Sequence, residues 1–139
     1  SPYQIGLIDS LEHIQNRFIR MIGLRLGFEY RNVPLNALKL HLNLMPLHLR
    51  RQVTDLLFLK KLICSVIEAP QLLEGLDFRA SRQLRHPQLF ARQHYTTQYL
   101  FHSALPRLQR LANNLPGELD FFSAGSDGFK KSILTCLDF

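Results

Sequence analysis

A chain of 139 residues, 46% apolar and with a mean hydropathy of −0.06, fits one domain whose core needs no disulfide or metal staple. No apolar run approaches the ~20 residues of a membrane span, and Ser1-Pro2-Tyr3 opens without the basic and apolar regions of a signal peptide. The net charge of +6 is carried by 12 Arg against 5 Lys, a bias that favours bidentate phosphate contact and stacking on bases, although Arg also serves simply to hold carboxylates. No initiator Met begins the chain, which reads as a piece of something longer.

In chain order, Ser1 and Pro2 read as the N-cap and first-turn proline of a helix that runs to about Ile22 and stops before Gly23 and Gly27. Within it Leu11, Ile14, Phe18, Met21 and Ile22 share one face, while Glu12, Gln15, Asn16 and Arg20 share the other. The spacing predicts that the first face is buried and the second is wet. Pro34 starts a short helix with Leu35, Leu38 and Leu42 on one side, and residues 43–46 break it. The longest helix is expected from Pro46, with Leu49, Val53, Leu56, Leu57, Leu59, Ile63 and Val66 leaving little polar surface beyond Arg50, Arg51, Asp55, Lys60 and Lys61. Such a broad apolar stripe marks the centre of a core.

Residues 70–76 support one or two further turns. Residues 78–102 show neither a helical nor a strand period and contain Pro87, so they read as mostly irregular; loops of that length are usually functional or disordered. Helical spacing returns from Ser103 or Ala104 to Leu115, ended by Pro116-Gly117, and a last helix is expected from an N-cap at Ser126 through Phe129, Ile133, Leu134 and Leu137. Cys64 and Cys136 each lie in an apolar helical pattern and read as buried free thiols, which fits an intracellular reducing compartment.

The distribution of charge says more than its sum. Between Asp77 and Glu118 there is no acidic residue, yet Arg79, Arg82, Arg85, Arg92, Arg107 and Arg110 lie there with His86, His94 and His102. Such a segment cannot neutralise itself, and calls for acids elsewhere in a parent protein or for a polyanion. Phe90, Tyr95, Tyr99 and Phe101 interleave with Arg85, Arg92 and His94, an arrangement able either to stack unpaired bases or to plug a core beneath a loop. Exposure separates the two.

Catalysis by nucleotidyl transfer needs clustered carboxylates, and here the acids are scattered, in close pairs such as Asp9 with Glu12 and Glu118 with Asp120. G-x-x-x-x-G-K-[ST], G-x-G-x-x-G, H-E-x-x-H and C-x-x-C are all missing from the sequence. No catalytic residue, metal ligand or cofactor is expected in this chain.

Several fragments together resemble a family. They are SPYQ and LEHIQNRFIRMI, then Tyr30, L-x-L-x-P-L-H-L-R-R-Q at 42–52, F-R-x-x-R-x-x-R at 78–85, HSALPRLQRLANNL, ELDFF and FKKSI. In this order they look like the C-terminal thumb and post-polymerase region of the reverse transcriptase of jockey-like arthropod non-LTR retrotransposons, and the resemblance covers nearly the whole chain. Met45 departs from it, since a small polar residue suits the turn before Pro46 better. The family's F-A-D-D aspartates, its endonuclease and its cysteine-histidine knuckle have no counterpart here.

The resemblance implies a non-catalytic helper within an RNA-directed DNA polymerase, acting in a ribonucleoprotein of cytoplasm and nucleus. Its implied partners are RNA or an RNA–DNA hybrid, gripped through the backbone without sequence readout, and the palm and fingers of the parent polymerase; no membrane is involved. By motif position the nucleic-acid contacts fall on Gln15, Arg17, Arg20, Arg50, Arg51, Arg79, Arg82 and Arg85, with Arg92 added by the aromatic cluster.

The expected fold is all-α, an irregular bundle of about five or six helices with a long basic loop region. One domain is expected over 1–139, with thumb-like helices at 1–68, a basic irregular segment at 69–102 and C-terminal helices at 103–139. A stand-alone or domesticated helical interaction module is the alternative, and an exposed apolar patch would be its signature. An inert genomic relic is a third.

Overall fold

A computed structural model describes residues 3–79, 88–91, 93–115, 119–123 and 125–137. The fold is all-α: among the described residues there are seven helices and no sheet. These are α1 (Ile5–Arg25), α2 (Leu35–His41), α3 (Leu47–Ile63), α4 (Pro70–Glu74), α5 (Gln98–His102), α6 (Ala104–Asn113) and α7 (Ser126–Cys136). They divide into two compact units, Ser1–Arg50 and Arg51–Phe139, with the boundary inside α3.

In the first unit α1 differs from its sequence reading in both ends and in its faces. Ser1 and Pro2 lie outside the described residues, and Gln4 is the N-cap. The helix passes through Gly23 and ends three residues after Ile22, where Phe28 N–H donates to Gly23 O at 3.0 Å and Gly27 N–H to Leu24 O at 3.1 Å. This paired closure needs a left-handed residue, and Gly27 supplies it at φ +89°. Gly23 has another task. A Cβ there would lie 2.5 Å from Val33 Cγ1, so the missing side chain is what admits Val33 against the helix.

That close approach decides which side of α1 is inside. Ile19 and Gly23 are buried, and Glu12, Gln15, Asn16 and Arg20 on or beside their face are half-buried. Leu11, Ile14, Phe18 and Met21, expected in the core, are 38%, 64%, 56% and 53% exposed. The core of this unit is Ile19, Val33 and Leu38, with Leu35 and Leu44 packed against it. Beyond α2, Asn43 at φ 51° turns the chain.

In the second unit α3 buries Val53, Leu56, Leu59 and Leu62, and two of its expected features change. It ends at Ile63, because Ser65 adopts φ 55° and the Val66 and Ile67 amides both turn back to Lys61 O; Val66 is left 69% exposed. Lys60, expected on the surface, is 4% exposed. Its Nζ donates to Ser123 O at 2.7 Å, Ser123 Oγ at 3.2 Å and Asp120 O at 3.4 Å, and sits 4.3 Å from the centre of the Phe129 ring.

The start of the segment read as irregular is pinned to its middle. Phe78 and Phe90 form an isolated antiparallel bridge, with Arg79 N–H on Leu89 O at 3.0 Å and Ala91 N–H on Asp77 O at 2.8 Å. Residues 80–87 between them lie outside the description. Within the remainder α5 forms, capped by Thr97 Oγ1 accepting from Leu100 N–H at 3.2 Å. Helix α6 ends at Asn113, and α7 begins at Ser126 itself, with Gly125 as N-cap; Phe129 and Ile133 are its buried residues. Cys64 and Cys136 are free thiols and half-buried.

Candidate nucleic-acid interface

The first unit contains an open concavity of about 430 Å³, with Arg20, Arg31 and Asn36 as its polar lining and Val33, Pro34, Leu35 and Ala37 between them. The closure at Gly27 sends the chain into a turn in which Asn32 N–H donates to Glu29 O and Asn32 Nδ2 to Glu29 Oε2, both at 2.9 Å. The turn carries Tyr30 and Arg31. Tyr30 lies under the Arg20 guanidinium, 5.4 Å from ring centre to Cζ, which restrains that flexible side chain. Two guanidinium groups and a carboxamide around an open hollow suit an anion with several acceptor oxygens, such as a phosphodiester.

The residues singled out by sequence have different fates. Arg17 is exposed on α1 one turn before Arg20, so these two are neighbours on one side of the helix. Gln15 lies about 140° around the helix from Arg20, and its Oε1 is buried without a hydrogen-bond partner among the described residues, as is Asn16 Oδ1. It belongs to the inner face of α1 and not with the arginines. Arg50 is exposed and Arg51 half-buried. Arg79 is exposed on the segment pinned by the Phe78–Phe90 bridge. Arg82, Arg85 and Arg92 lie outside the described residues.

One cation of the acid-free stretch is met by an acid from elsewhere in the chain. Arg107 grips Asp55 of α3 in a fork, Nε to Oδ2 at 2.9 Å and Nη2 to Oδ1 at 3.2 Å. Arg110 lies 3.5 Å from the centre of the Phe101 ring and donates to Phe101 O. Burial lowers the Arg110 pKa, opposed by Tyr95 and aided by Arg107. Burial raises the Tyr95 pKa against the pull of Arg110, with a further push from Asp77.

The aromatics divide. Phe90 is fully buried against Phe78, ring centres 5.2 Å apart, and belongs to the core. Tyr99 is 75% exposed. Tyr95 is half-buried, its hydroxyl donating to Gln93 Oε1 at 2.7 Å and its ring edge-on to Phe101 at 6.4 Å.

Compared with protein-family models, curated proteins and solved structures, the chain matches none. Among the described residues no three His, Cys, Asp or Glu gather where they could hold a metal ion, and no helix is long and apolar enough to cross a membrane.

Sequence reasoning missed Arg31 and Asn36, and gave Tyr30 only as a part of the resemblance. Arg31 beside an aromatic, between two helices, was the available signal. What it lacked was the knowledge that Gly23 lets the 28–34 loop fold back along α1 and deliver Arg31 to Arg20.

Proposed function

We propose that the chain is the non-catalytic C-terminal part of a non-LTR retrotransposon reverse transcriptase and grips template–primer nucleic acid through its phosphates. The observation that carries the binding half of this reading is the Arg20–Arg31 concavity, in which one cation is restrained by Tyr30 and the only acid of the adjoining turn, Glu29, is already bonded to Asn32. The all-α fold and the surplus of 17 basic over 11 acidic residues support it. The polymerase origin rests on the resemblance of the ordered fragments.

Filter binding of an RNA–DNA hybrid tests this. Affinity falls steeply between low and moderate salt, and the double variant Arg20→Ala, Arg31→Ala loses about one unit of log–log salt slope for each phosphate contact removed. Affinity that does not change with salt defeats the proposal. A second reading, a helical module that packs against other protein, is favoured by one observation: Leu7, Leu11, Ile14, Phe18 and Met21 form an apolar stripe along α1 with every member at least 38% exposed. On that reading the chain binds no hybrid at any salt concentration.

A further inference from the structure

The second unit holds a pocket of about 280 Å³ between residues 88–91 and 93–95 on one side and α6 on the other. Five of its nine lining side chains are carboxamides, one is the Tyr95 ring, one is the Arg110 guanidinium, and none is a carboxylate. We infer that this pocket takes an unstacked nucleobase of single-stranded RNA, with the phosphate of the same nucleotide toward Arg110. The choice of ligand rests on the proposed nucleic-acid grip, and the pocket itself does not.

Size comes first. The volume is just under the roughly 300–1,000 Å³ of sites that hold drug-sized ligands, so it suits a single planar ring system. Charge comes second. With an arginine and no acid in the lining, a cation is repelled and a neutral or anionic ligand is admitted. The polar chemistry is the third and most selective term. A carboxamide presents a donor and an acceptor in one plane, which is the complement of a base edge.

Several of these groups are already held in position, so little side-chain entropy is lost on binding. Asn113 clamps the backbone of Phe90, accepting from its N–H at 3.0 Å and donating to its carbonyl at 2.9 Å. Gln109 is 3% exposed and donates to Gly75 O at 3.2 Å. Tyr95 is held by Gln93 at its hydroxyl and by a near-perpendicular contact with the Phe101 ring, and offers a ring for stacking. The partners of Arg110 are a ring and a carbonyl, neither of which cancels its charge. Gln88, Gln93 and Asn114 complete the set that can read the edge.

The test uses the whole chain with the four ribonucleoside 5′-monophosphates and ribose 5-phosphate as probes, followed by calorimetry and by the side-chain amide signals of Asn and Gln in ¹H–¹⁵N spectra. The expected result is saturable nucleotide binding that moves the Gln93 and Asn114 amide signals and distinguishes among the four bases. Tyr95→Leu weakens it by about tenfold or more, and Tyr95→Phe retains the stacking ring and most of the affinity. The double variant Gln88→Ala, Asn114→Ala erases the discrimination among bases even if Tyr95→Leu fails to fold. Ribose 5-phosphate binding as tightly as the nucleotides, or base discrimination unchanged in the double variant, overturns the inference. Salt-sensitive hybrid binding without nucleotide binding removes the pocket and leaves the phosphate grip standing; the converse result removes the grip and leaves the pocket.

Discussion

Lys60 carries an ammonium group into the interior of the second unit without a carboxylate to meet it among the described residues. Its three protons are matched by three acceptors, two of them main-chain carbonyls of the 120–123 turn, and the Phe129 ring covers one side. Lys60→Met keeps the length of the side chain and removes the donors, leaving the Ser123 and Asp120 carbonyls without that partner. The expected loss is about 1–3 kcal/mol, read from the urea midpoint, and an unchanged midpoint contradicts the role. The Arg107–Asp55 fork is the second such lock. Asp55→Ala is expected to cost about 1.5–3 kcal/mol, since it removes charge-assisted hydrogen bonds and leaves a three-quarters buried guanidinium without its anion. Neither lock is legible in the sequence. Lys60-Lys61 reads as the polar edge of a helix, and Asp55 stands 52 positions from the arginine it holds.

At the scale of the element, α1 shows how one apolar period can be read on the wrong side. Leu11, Ile14, Phe18 and Met21 repeat as a core face should, but another segment comes close at Gly23, where Val33 enters. Ile19, on the Gly23 side, is therefore the buried residue. Ile19→Ala is expected to cost about 2–4 kcal/mol as a cavity in the small first core, whereas Phe18→Ala shifts stability by no more than about 0.5 kcal/mol. Thermal unfolding of the two variants checks this, and the opposite ranking restores the face expected from sequence. Gly23→Ala separates the same alternatives from another direction. Helix propensity favours the change by about 1 kcal/mol, but the new methyl would lie 2.5 and 2.8 Å from the two Val33 methyls. Overpacking costs about 1–3 kcal/mol, so the net effect is a loss.

At the scale of the whole molecule the surplus of positive charge remains after the internal pairs are made. Arg107 meets Asp55, and Arg110 is held by Phe101 without being neutralised. Arg17, Arg31, Arg79, Lys61, Lys130 and Lys131 are exposed. The steep salt dependence of hybrid binding belongs to this scale, because counterion release sums over all phosphate contacts. Helical class, the breaks near Pro34, Asn43 and Pro70, and the last two helices were legible from residue spacing, because periodicity and turn chemistry act within about ten positions. The buried side of α1, the early stop of α3 at Ser65, the sheltered Lys60, the Asp55 partner of Arg107 and the meeting of Arg20 with Arg31 were decided only by the tertiary structure. Each depends on which distant segment approaches, and that is set by space, as at the missing Cβ of Gly23, and not by local pattern.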